Sequence, residues 1–547
     1  MSSLAAGFRI ASRILLSVCA GWWFVTVAGA QEAQIAKGRQ LFQQHCYLCH
    51  QASGQGTTGV FPPLAKSDFL LADKARSIRI LCEGLSQEIT VNGVKYNGTM
   101  PPSTLNDAEV ADVLTYVRNT WGNSGDTVTA EEVKGIRVTT RFKTYEELVK
   151  ASGFAPLPKA PDGFTLREVV RLPDNPTRLA TDGTGRVLYV LCNNGNVWRV
   201  EVASGTFRLL LRGERYLDKK LGEPSCLGLA LDAQRRLYIV ANQRNEAVTP
   251  VACEVTIFRT TDVSEGDPFD PQPWLRASYP WGIGPFNHCV NHLAFGPDGF
   301  IYVNSGSRTD GGEPGKDPKY SNEGETPLTA CMWRLDPKAA KPEIEIFARG
   351  LRNSFGFCWD DQGRLLATEN GPDYDMPEEL NVIEKGRHYG FPFQFADSRL
   401  KPYPHTPDAP AGQKFTPPVA NLGPDGGGSP GQPMYTFEPH SSPAGIVFLG
   451  HDFPEGWNGT FLITRFGNLL KKPRDVGFDL LQAQLKNRPD GGYEATVKTA
   501  IAPLARPIDI THAGPGRLLI AEYTRPLDFK SGLPQMPGRI LELKVRK

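Results

Sequence analysis

The sequence carries almost no net charge, because 60 lysines and arginines balance 59 aspartates and glutamates among 547 residues. It therefore lacks the basic excess that binds nucleic acids or anionic membrane surfaces. Beyond residue 30 it also lacks an apolar run long enough to cross a bilayer. Glycine (56) and proline (45) are frequent, yet they stay below the level of a disordered chain. With 40% hydrophobic residues, this composition predicts many short strands joined by tight turns.

The N-terminal segment has the pattern of an export signal. Arg9 and Arg13 supply positive charge, Ile14 to Val27 form an apolar run, and Ala28-Gly29-Ala30 is a cleavage site of small residues. An uncleaved anchor is the alternative, although the run is short for a membrane span. We therefore expect Met1 to Ala30 to be removed and the mature chain to be periplasmic, without stable insertion into the membrane.

Cysteine and histidine occur together in one short motif, Cys46-Tyr47-Leu48-Cys49-His50. The C-x-x-C-H spacing is typical of covalent c-type haem, in which both thiols form thioethers and the histidine binds the iron. A redox-active cysteine pair is the alternative, but such a pair does not need the histidine. We therefore predict Cys46 and Cys49 as attachment sites and His50 as an iron ligand.

Methionine is scarce, and Met100 is the only one between residues 31 and 125. Its thioether, on a loop stiffened by glycine and proline, is predicted to be the second axial iron ligand, which raises the reduction potential. The alternative is a methionine that fills the core. A haem with both axial positions occupied transfers electrons but has no open site for a substrate. Another part of the chain must therefore supply or use those electrons.

Residues 31–123 are predicted to form one all-α domain. Apolar residues recur at helical spacing between Val110 and Trp121, and Asn106 with Glu109 suits the N-terminus of that helix. The segment resembles class I cytochromes c over its whole length. The matching residues are Ala36-Lys37-Gly38, Cys46 to His50, Phe61-Pro62-Pro63-Leu64, Tyr96-Asn97-Gly98-Thr99-Met100-Pro101-Pro102 and Leu114-Thr115-Tyr116-Val117.

Between residue 162 and residue 547, a sequence repeat made of an Asp/Gly turn followed by a short apolar strand occurs six times. This predicts an all-β six-bladed propeller. A β-sandwich array is the alternative. Residues 124–161 are predicted to be a linker with a helical patch at Tyr145 to Lys150, and Lys401 to Pro433 a loop insertion on one rim. The repeated strands are Val187 to Val190, Leu237 to Val240, Ile301 to Val303, Leu365 to Ala367, Phe461 to Ile463 and Leu518 to Ile520.

Three stretches of the predicted propeller, Gly350 to Gly356, Glu369 to Pro372 and Glu378 to Asn381, resemble the glucose/sorbosone dehydrogenase family. Members of that family are six-bladed propellers that bind pyrroloquinoline quinone (PQQ) through calcium. The resemblance implies that Arg352 and Asn353 contact the quinone. A guanidinium fork suits carboxylate and quinone oxygens. The alternative is that both side chains only tie two blades together.

The resemblance also implies a calcium site. The carbonyl oxygens of Gly371 and Pro372 and the carboxylate of Glu378 would be its hard oxygen ligands. Extra residues, Asp373 to Pro377, precede the acidic pair in this sequence. Either Glu378 or Glu379 could therefore face the metal.

In the same family, a histidine at the position of His288 accepts the proton of the sugar hydroxyl while hydride leaves for the quinone. Neutral imidazole suits that role near neutral pH, and a purely structural buried histidine is the alternative. His292 stands where many relatives carry arginine. Arg465 and Arg506 fall near positions that present cations to the cofactor carboxylates, with a solvated surface position as the alternative.

Some residues depart from the family pattern: Glu223 stands near a glutamine of the glucose enzyme, and Ser307 replaces a catalytic aspartate, for which Asp310 is a candidate substitute. Glucose itself is therefore an unsafe expectation. We expect oxidation of a sugar, aldose or related polyol or aldehyde by PQQ, with electrons passing to haem c and then to a soluble cytochrome or terminal oxidase. The alternative is a cytochrome c carrier joined to a non-catalytic propeller that binds carbohydrate or a partner protein.

Overall fold

The computed structural model describes residues 31–139 and 157–546, apart from short gaps. The predicted signal segment and the helical patch at Tyr145 to Lys150 lie outside the described residues. The chain divides into two compact units, one with the described residues up to 139 and the other with those from 157 onward. The gaps are 86–87, 102, 104, 265–269, 283–286, 314–316, 318, 322–323, 375, 397–400, 402, 430, 432, 469–475 and 524–537.

The N-terminal unit is helical, as predicted. The N-terminus of the helix Asp107–Arg118 is capped as expected, because the Asn106 side chain accepts N–H groups and the Glu109 carboxylate accepts the Asn106 N–H at 2.8 Å. Its apolar face is buried against the other helices. The elements are α1 (31–45), α2 (Tyr47–His50), α3 (Asp68–Ala72), α4 (Lys74–Glu83), β1 (Ile89–Val91), β2 (Val94–Tyr96), α5 (Asp107–Arg118) and α6 (Ala130–Thr139).

Part of the predicted linker belongs to the core of this unit. Helix α6 begins after Thr129, whose hydroxyl accepts the N–H of Glu132 at 3.2 Å. Val128 and Val133 are fully buried in the same hydrophobic cluster as α5. The Thr115 hydroxyl also accepts the Val128 N–H at 2.9 Å. Two isolated valines in a polar stretch are too weak a periodic signal to reveal this helix from sequence.

The C-terminal unit is a six-bladed β-propeller, as predicted, with one sheet for each blade. The last blade combines three C-terminal strands with the first strand of the unit, so backbone hydrogen bonds between Phe164–Arg171 and Arg539–Val545 close the ring. Blades 1 to 3 are β4–β7 (Pro176–Thr181, Val187–Cys192, Val197–Glu201, Phe207–Leu211), β8–β11 (Ser225–Leu231, Arg236–Asn245, Ala252–Asp262, Gln272–Pro280) and β12–β15 (Val290–Phe295, Ile301–Ser305, Cys331–Leu335, Glu345–Arg349).

The remaining blades differ in strand number. Blade 4 has three strands, and blade 5 has two additional ones, of which Ala420–Pro424 comes from the insertion and pairs in parallel with Tyr493–Ile501. The predicted loop Lys401 to Pro433 therefore contains a strand. Blades 4 to 6 are β16–β18 (Phe357–Trp359, Leu365–Glu369, Glu379–Ile383), β19–β24 (Ala420–Pro424, Met434–Tyr435, Pro443–Leu449, Thr460–Arg465, Asp479–Asn487, Tyr493–Ile501) and β25–β27 with β3 (Pro507–His512, Arg517–Glu522, Arg539–Val545, Phe164–Arg171).

Each of the six sequence repeats contains a turn and the strand that follows it, which is the second strand of a blade counted from the propeller axis. These second strands are β5, β9, β13, β17, β22 and β26. These strands are buried on both faces between neighbouring strands and blades, which explains their continuous apolar sequence. The described cysteines of the propeller form no disulfide bonds with one another. Within the described ranges, the helices are too short or too polar to cross a lipid bilayer.

Candidate functional site

The helical unit contains a cleft that unites the predicted haem residues. Cys46, His50 and Met100 line it together with mainly apolar side chains of α3 to α5. The Nδ1 atom of His50 lies 3.0 Å from the Pro62 carbonyl oxygen, a contact that orients the ring and leaves Nε2 as the atom for an iron ligand. Burial lowers the pKa of His50 and so favours the neutral imidazole. Paired backbone hydrogen bonds of 2.8 Å between Leu85 and Met100 hold the thioether loop.

These residues fit a covalently attached haem. An apolar cleft bounded by an imidazole and a thioether matches a six-coordinate His/Met iron. The Cys46 side chain belongs to the cleft lining, as attachment to a vinyl group requires, and its pKa is raised to about 11 by burial and by Cys49. The roles of Cys49 as a haem attachment site and of Met100 as the second iron ligand stay predictions from the sequence.

The propeller has a cavity of about 380 Å³ at one end, a size within the usual range for small-molecule sites. First strands of blades begin at this end and second strands finish there, so residues at those points converge. The lining residues are His288, Arg352, Asn353, Phe355, Asn370, Gly371, Asp373, Glu378, His440, Ser442, Ala444, Phe466, Asn468 and Ile508.

Arg352 is fixed in the wall of this cavity. Its Nε donates to the Asp310 carbonyl oxygen at 3.1 Å, one terminal nitrogen donates to the Asn370 carbonyl oxygen at 2.9 Å, and the other pairs with the Asp310 carboxylate. These bonds use three of the five guanidinium N–H groups and leave two for a ligand. Asp310 is therefore the counter-ion of Arg352. Ser307, at the expected aspartate position, donates its hydroxyl to the Thr309 carbonyl oxygen at 2.7 Å.

His288 precedes β12 and presents its ring to the cavity. Within the described residues its buried Nε2 atom has no hydrogen-bond partner. Burial, and secondarily the positive charge of Arg352, hold the pKa of His288 well below its usual value. The imidazole is therefore neutral at neutral pH, with one ring nitrogen available to a ligand. Its backbone is fixed independently, because the His288 N–H donates to the Ser307 carbonyl oxygen at 3.0 Å.

The two adjacent glutamates face different surroundings. The Glu378 carboxylate lines the cavity and accepts the Gly371 N–H at 2.5 Å, and burial raises its pKa to about 7. The Glu379 carboxylate instead accepts the Ala396 N–H at 2.6 Å and an Asn381 N–H at 2.9 Å inside the blade. Successive strand residues point to opposite sides, so only Glu378 can serve the cavity.

The predicted calcium ligands come together only in part. Gly371 and Glu378 line the cavity, whereas Pro372 is buried outside its described lining. Within the described chain, no group of three or more acidic, histidine or cysteine side chains is arranged to hold a metal. Of the predicted ligands, the cavity thus retains the carboxylate residue Glu378 and its neighbour Gly371. A calcium ion, which takes six to eight oxygens, would need most of its ligands from a cofactor and water.

Arg465 and Arg506 were predicted to lie near the cofactor carboxylates, and neither is among the described residues that line the cavity. Arg465 forms buried ion pairs with Asp479 at 2.6 Å and with Glu438 at 2.9 Å. Arg506 donates to the carbonyl oxygens of Gly467 at 3.2 Å and Asn468 at 3.1 Å. Both side chains are buried rather than solvated at the surface, and their contact with a cofactor stays a prediction.

His292 belongs to a second cavity, which lies along the propeller axis and is lined by the first strands of the six blades. Its ring packs edge-on against Phe357 with centroids 4.5 Å apart. Arg178 connects the two cavities: its guanidinium stacks on Phe355 in the first and pairs with Asp509 of the second at 3.2 Å. Burial, with a contribution from Arg178, lowers the pKa of His292 well below its usual value.

His440 is a second histidine in the site cavity, and it was not predicted from the sequence. It lies in Pro439-His440-Ser441-Ser442-Pro443, where both His440 and Ser442 have positive φ angles, of 63° and 51°. Backbone N–H groups of both residues face the Glu378 carboxylate. The two prolines that bracket this loop were a signal in the sequence. Nothing in the sequence, however, placed the loop beside blade 4.

A family model for glucose/sorbosone dehydrogenases matches residues 281–470, and a cytochrome c model matches residues 35–121. The N-terminal region is also 40% identical over 124 residues to cytochrome c-552 of Thermus thermophilus, covering 21% of this chain and 82% of that protein. The chain joins a cytochrome c domain to a glucose/sorbosone dehydrogenase domain. Both predicted family resemblances are thereby confirmed, together with the fold class.

The chain is also similar, at lower sequence identity, to two further proteins. Quinoprotein glucose dehydrogenase B of Acinetobacter calcoaceticus is 23% identical over 281 residues, 45% of this chain and 58% of that protein. The PQQ-bound aldose sugar dehydrogenase of Streptomyces coelicolor has a TM-score of 0.47 and 21% identity, over 71% of this chain and all of that one (100%). His288, Arg352 and Glu378 fall inside the matched family region.

Proposed function

We propose that this protein is a periplasmic quinohaemoprotein dehydrogenase that oxidises a sugar, an aldose or a related polyol or aldehyde. One observation carries the proposal. His288, whose buried Nε2 has no hydrogen-bond partner among the described residues, and Arg352, which has two N–H groups beyond its three described hydrogen bonds, line the same cavity. A base and a cationic donor on one wall are what removal of a hydroxyl proton and binding of an anionic acceptor require. The family membership of both domains is consistent with this chemistry.

The cofactors of the proposal are PQQ in the propeller and covalent haem c in the helical domain, with calcium beside PQQ. PQQ supplies the two-electron acceptor for a substrate hydride, and the haem supplies a one-electron outlet. Arg352 and Asn353 would hold the quinone by hydrogen bonds. Glu378 and the Gly371 carbonyl would be the protein ligands of calcium.

The residues of the chain perform the proton chemistry. His288, neutral because burial lowers its pKa, accepts the hydroxyl proton of the substrate at Nε2. Arg352 is oriented through Asp310, and its remaining N–H groups stabilise negative charge that develops on an oxygen in the cavity. The apolar side chains of Phe355, Phe466 and Ile508 exclude water from the same space.

The helical domain completes the proposal as the electron outlet. His50 and Met100 would occupy both axial positions of the iron, and Cys46 and Cys49 would attach the porphyrin. The acceptor beyond the haem would be a soluble cytochrome or a terminal oxidase. The export signal predicted at Met1 to Ala30 places this exchange in the periplasm, where covalent haem attachment occurs.

The test is anaerobic reconstitution of the purified full-length chain, carrying haem c, with PQQ and Ca²⁺. A panel of aldoses, polyols and aldehydes is added, and the visible spectrum of the haem is recorded. We expect at least one sugar to reduce the haem, and the same sample without PQQ to stay oxidised. If the quinone binds and every substrate leaves the haem oxidised, although dithionite reduces it, the propeller is a non-catalytic binding domain and the proposal fails.

A further inference from the structure

An aromatic group adjoins a residue of the site cavity and has no part in the chemistry described above. Tyr374 directly follows Asp373, which lines the cavity. At 52% exposure it is the most exposed large hydrophobic side chain of the described residues. It belongs to the extra residues that separate the Gly371-Pro372 turn from the acidic pair.

Tyr374 packs against a second aromatic ring, Tyr403, which belongs to the insertion between blades 4 and 5. The rings of Tyr374 and Tyr403 lie edge to face with centroids 5.8 Å apart, and Tyr403 stacks on His405 at 5.0 Å and 14°. The other side of Tyr403 packs on Gly311, where a Cβ atom would lie 2.4 Å from the ring. The cluster is therefore a closely packed surface rather than a set of independent side chains.

The cluster is also fixed to the wall of the cavity. The Tyr403 hydroxyl donates to one carboxylate oxygen of Asp310, and the other oxygen accepts the Asp373 N–H at 3.1 Å and a guanidinium N–H of Arg352. One buried carboxylate thus sets the positions of the cofactor-facing arginine and of both aromatic segments. The aromatic surface is preorganised at a fixed place relative to Arg352, which reduces the entropic cost of binding.

We propose that Tyr374, supported by Tyr403, is a stacking platform for the ring of a pyranose substrate, with the Asp373 carboxylate accepting hydrogen bonds from its hydroxyl groups. This inference rests on the proposed function and deepens it. The C–H groups on one face of a pyranose are weakly positive and apolar, and they complement the negative face of an aromatic ring. Asp373 is exposed beside that ring and adjoins the cavity. An acyclic polyol has no such flat face, so the platform favours cyclic sugars.

The first experiment compares Tyr374→Ala with Tyr374→Phe in the loaded full-length protein. Phe207→Ala is the matched control, because Phe207 is another exposed aromatic residue (40%) and lies on blade 1 outside the cavity lining. We expect Tyr374→Ala to raise KM for an aldopyranose substrate about 2- to 10-fold, the value of one aromatic contact. The kcat and the KM for glycerol should stay unchanged, and Tyr374→Phe and Phe207→Ala should resemble the unmodified protein.

The second experiment needs neither turnover nor PQQ. Saturation-transfer NMR with methyl glucopyranoside, which has no free anomeric hydroxyl, should show transfer from the protein to the ring protons on one sugar face, and Tyr374→Ala should abolish that transfer. If no sugar reduces the haem, the proposed function fails. The comparison of sugar binding between the unmodified protein and Tyr374→Ala still shows whether Tyr374 is a stacking platform. Unchanged binding and unchanged KM in Tyr374→Ala would overturn the inference, as would an equal increase of KM for glycerol.

Discussion

The substitution His288→Ala examines the chemistry most directly. The change removes the only group in the cavity to which we assign proton abstraction. The fold around it should persist, because the contact that fixes this position is a backbone hydrogen bond from the residue 288 N–H to the Ser307 carbonyl oxygen at 3.0 Å. Alanine keeps that bond. The imidazole Nε2 forms no hydrogen bond with the described residues, so its removal leaves no buried partner unsatisfied.

The size of the effect follows from the state of the imidazole. A positioned general base contributes about 10²- to 10⁴-fold to turnover, which corresponds to about 2.7 to 5.4 kcal/mol of barrier. Burial and Arg352 hold the pKa of His288 well below its usual value, so it is a weaker base than free imidazole. No described carboxylate hydrogen-bonds to it and raises its basicity. We therefore expect a loss near the lower limit, about a hundredfold in kcat.

The assay is the initial rate of haem reduction by a saturating sugar, with the bound quinone measured separately after denaturation. His292→Gln is the matched control, because His292 is another imidazole of lowered pKa only four positions away, but it lines the axial cavity. We expect quinone content to be unchanged in both variants and turnover to fall only in His288→Ala. A His288→Ala protein that keeps its quinone and turns over within about threefold of the original would refute the assignment of the base.

Four further outcomes test other parts of the structure. Arg352→Lys should lower quinone retention and kcat/KM about 10-fold or more, measured by loading and steady-state assays, because lysine cannot reproduce the fork. Met100→Ala should lower the haem reduction potential in a spectroelectrochemical titration, whereas sugar-dependent reduction of an added dye should continue. The acid limb of kcat/KM should lie below pH 6.5, because the depressed pKa of His288 keeps it neutral there; a limb above pH 6.5 contradicts this. Arg465→Met should lower Tm, because it leaves Asp479 buried without its partner and so lowers the free energy of unfolding by about 3–5 kcal/mol; an unchanged Tm contradicts this prediction.

The sequence alone determined the features that depend on short stretches of chain. The haem motif is five consecutive residues, and its chemistry follows from the spacing of two thiols and one imidazole. The propeller was predictable because each blade repeats one local event, a turn into a second strand buried on both faces. The capping of α5 by Asn106 and Glu109 is likewise local. In these cases the residues that interact are neighbours in sequence, so their pattern carries the information.

The tertiary structure decided which side chains share a cavity. It separates Glu378 from Glu379 and adds His440 to the cavity, whereas Arg465 and Arg506 are not among the described lining residues. It also joins Tyr374 to Tyr403 through Asp310, although these segments are far apart in the chain. The physical reason is that a propeller site is built from loops of different blades. Their distances depend on how the whole ring closes, and no local pattern in the sequence records that closure.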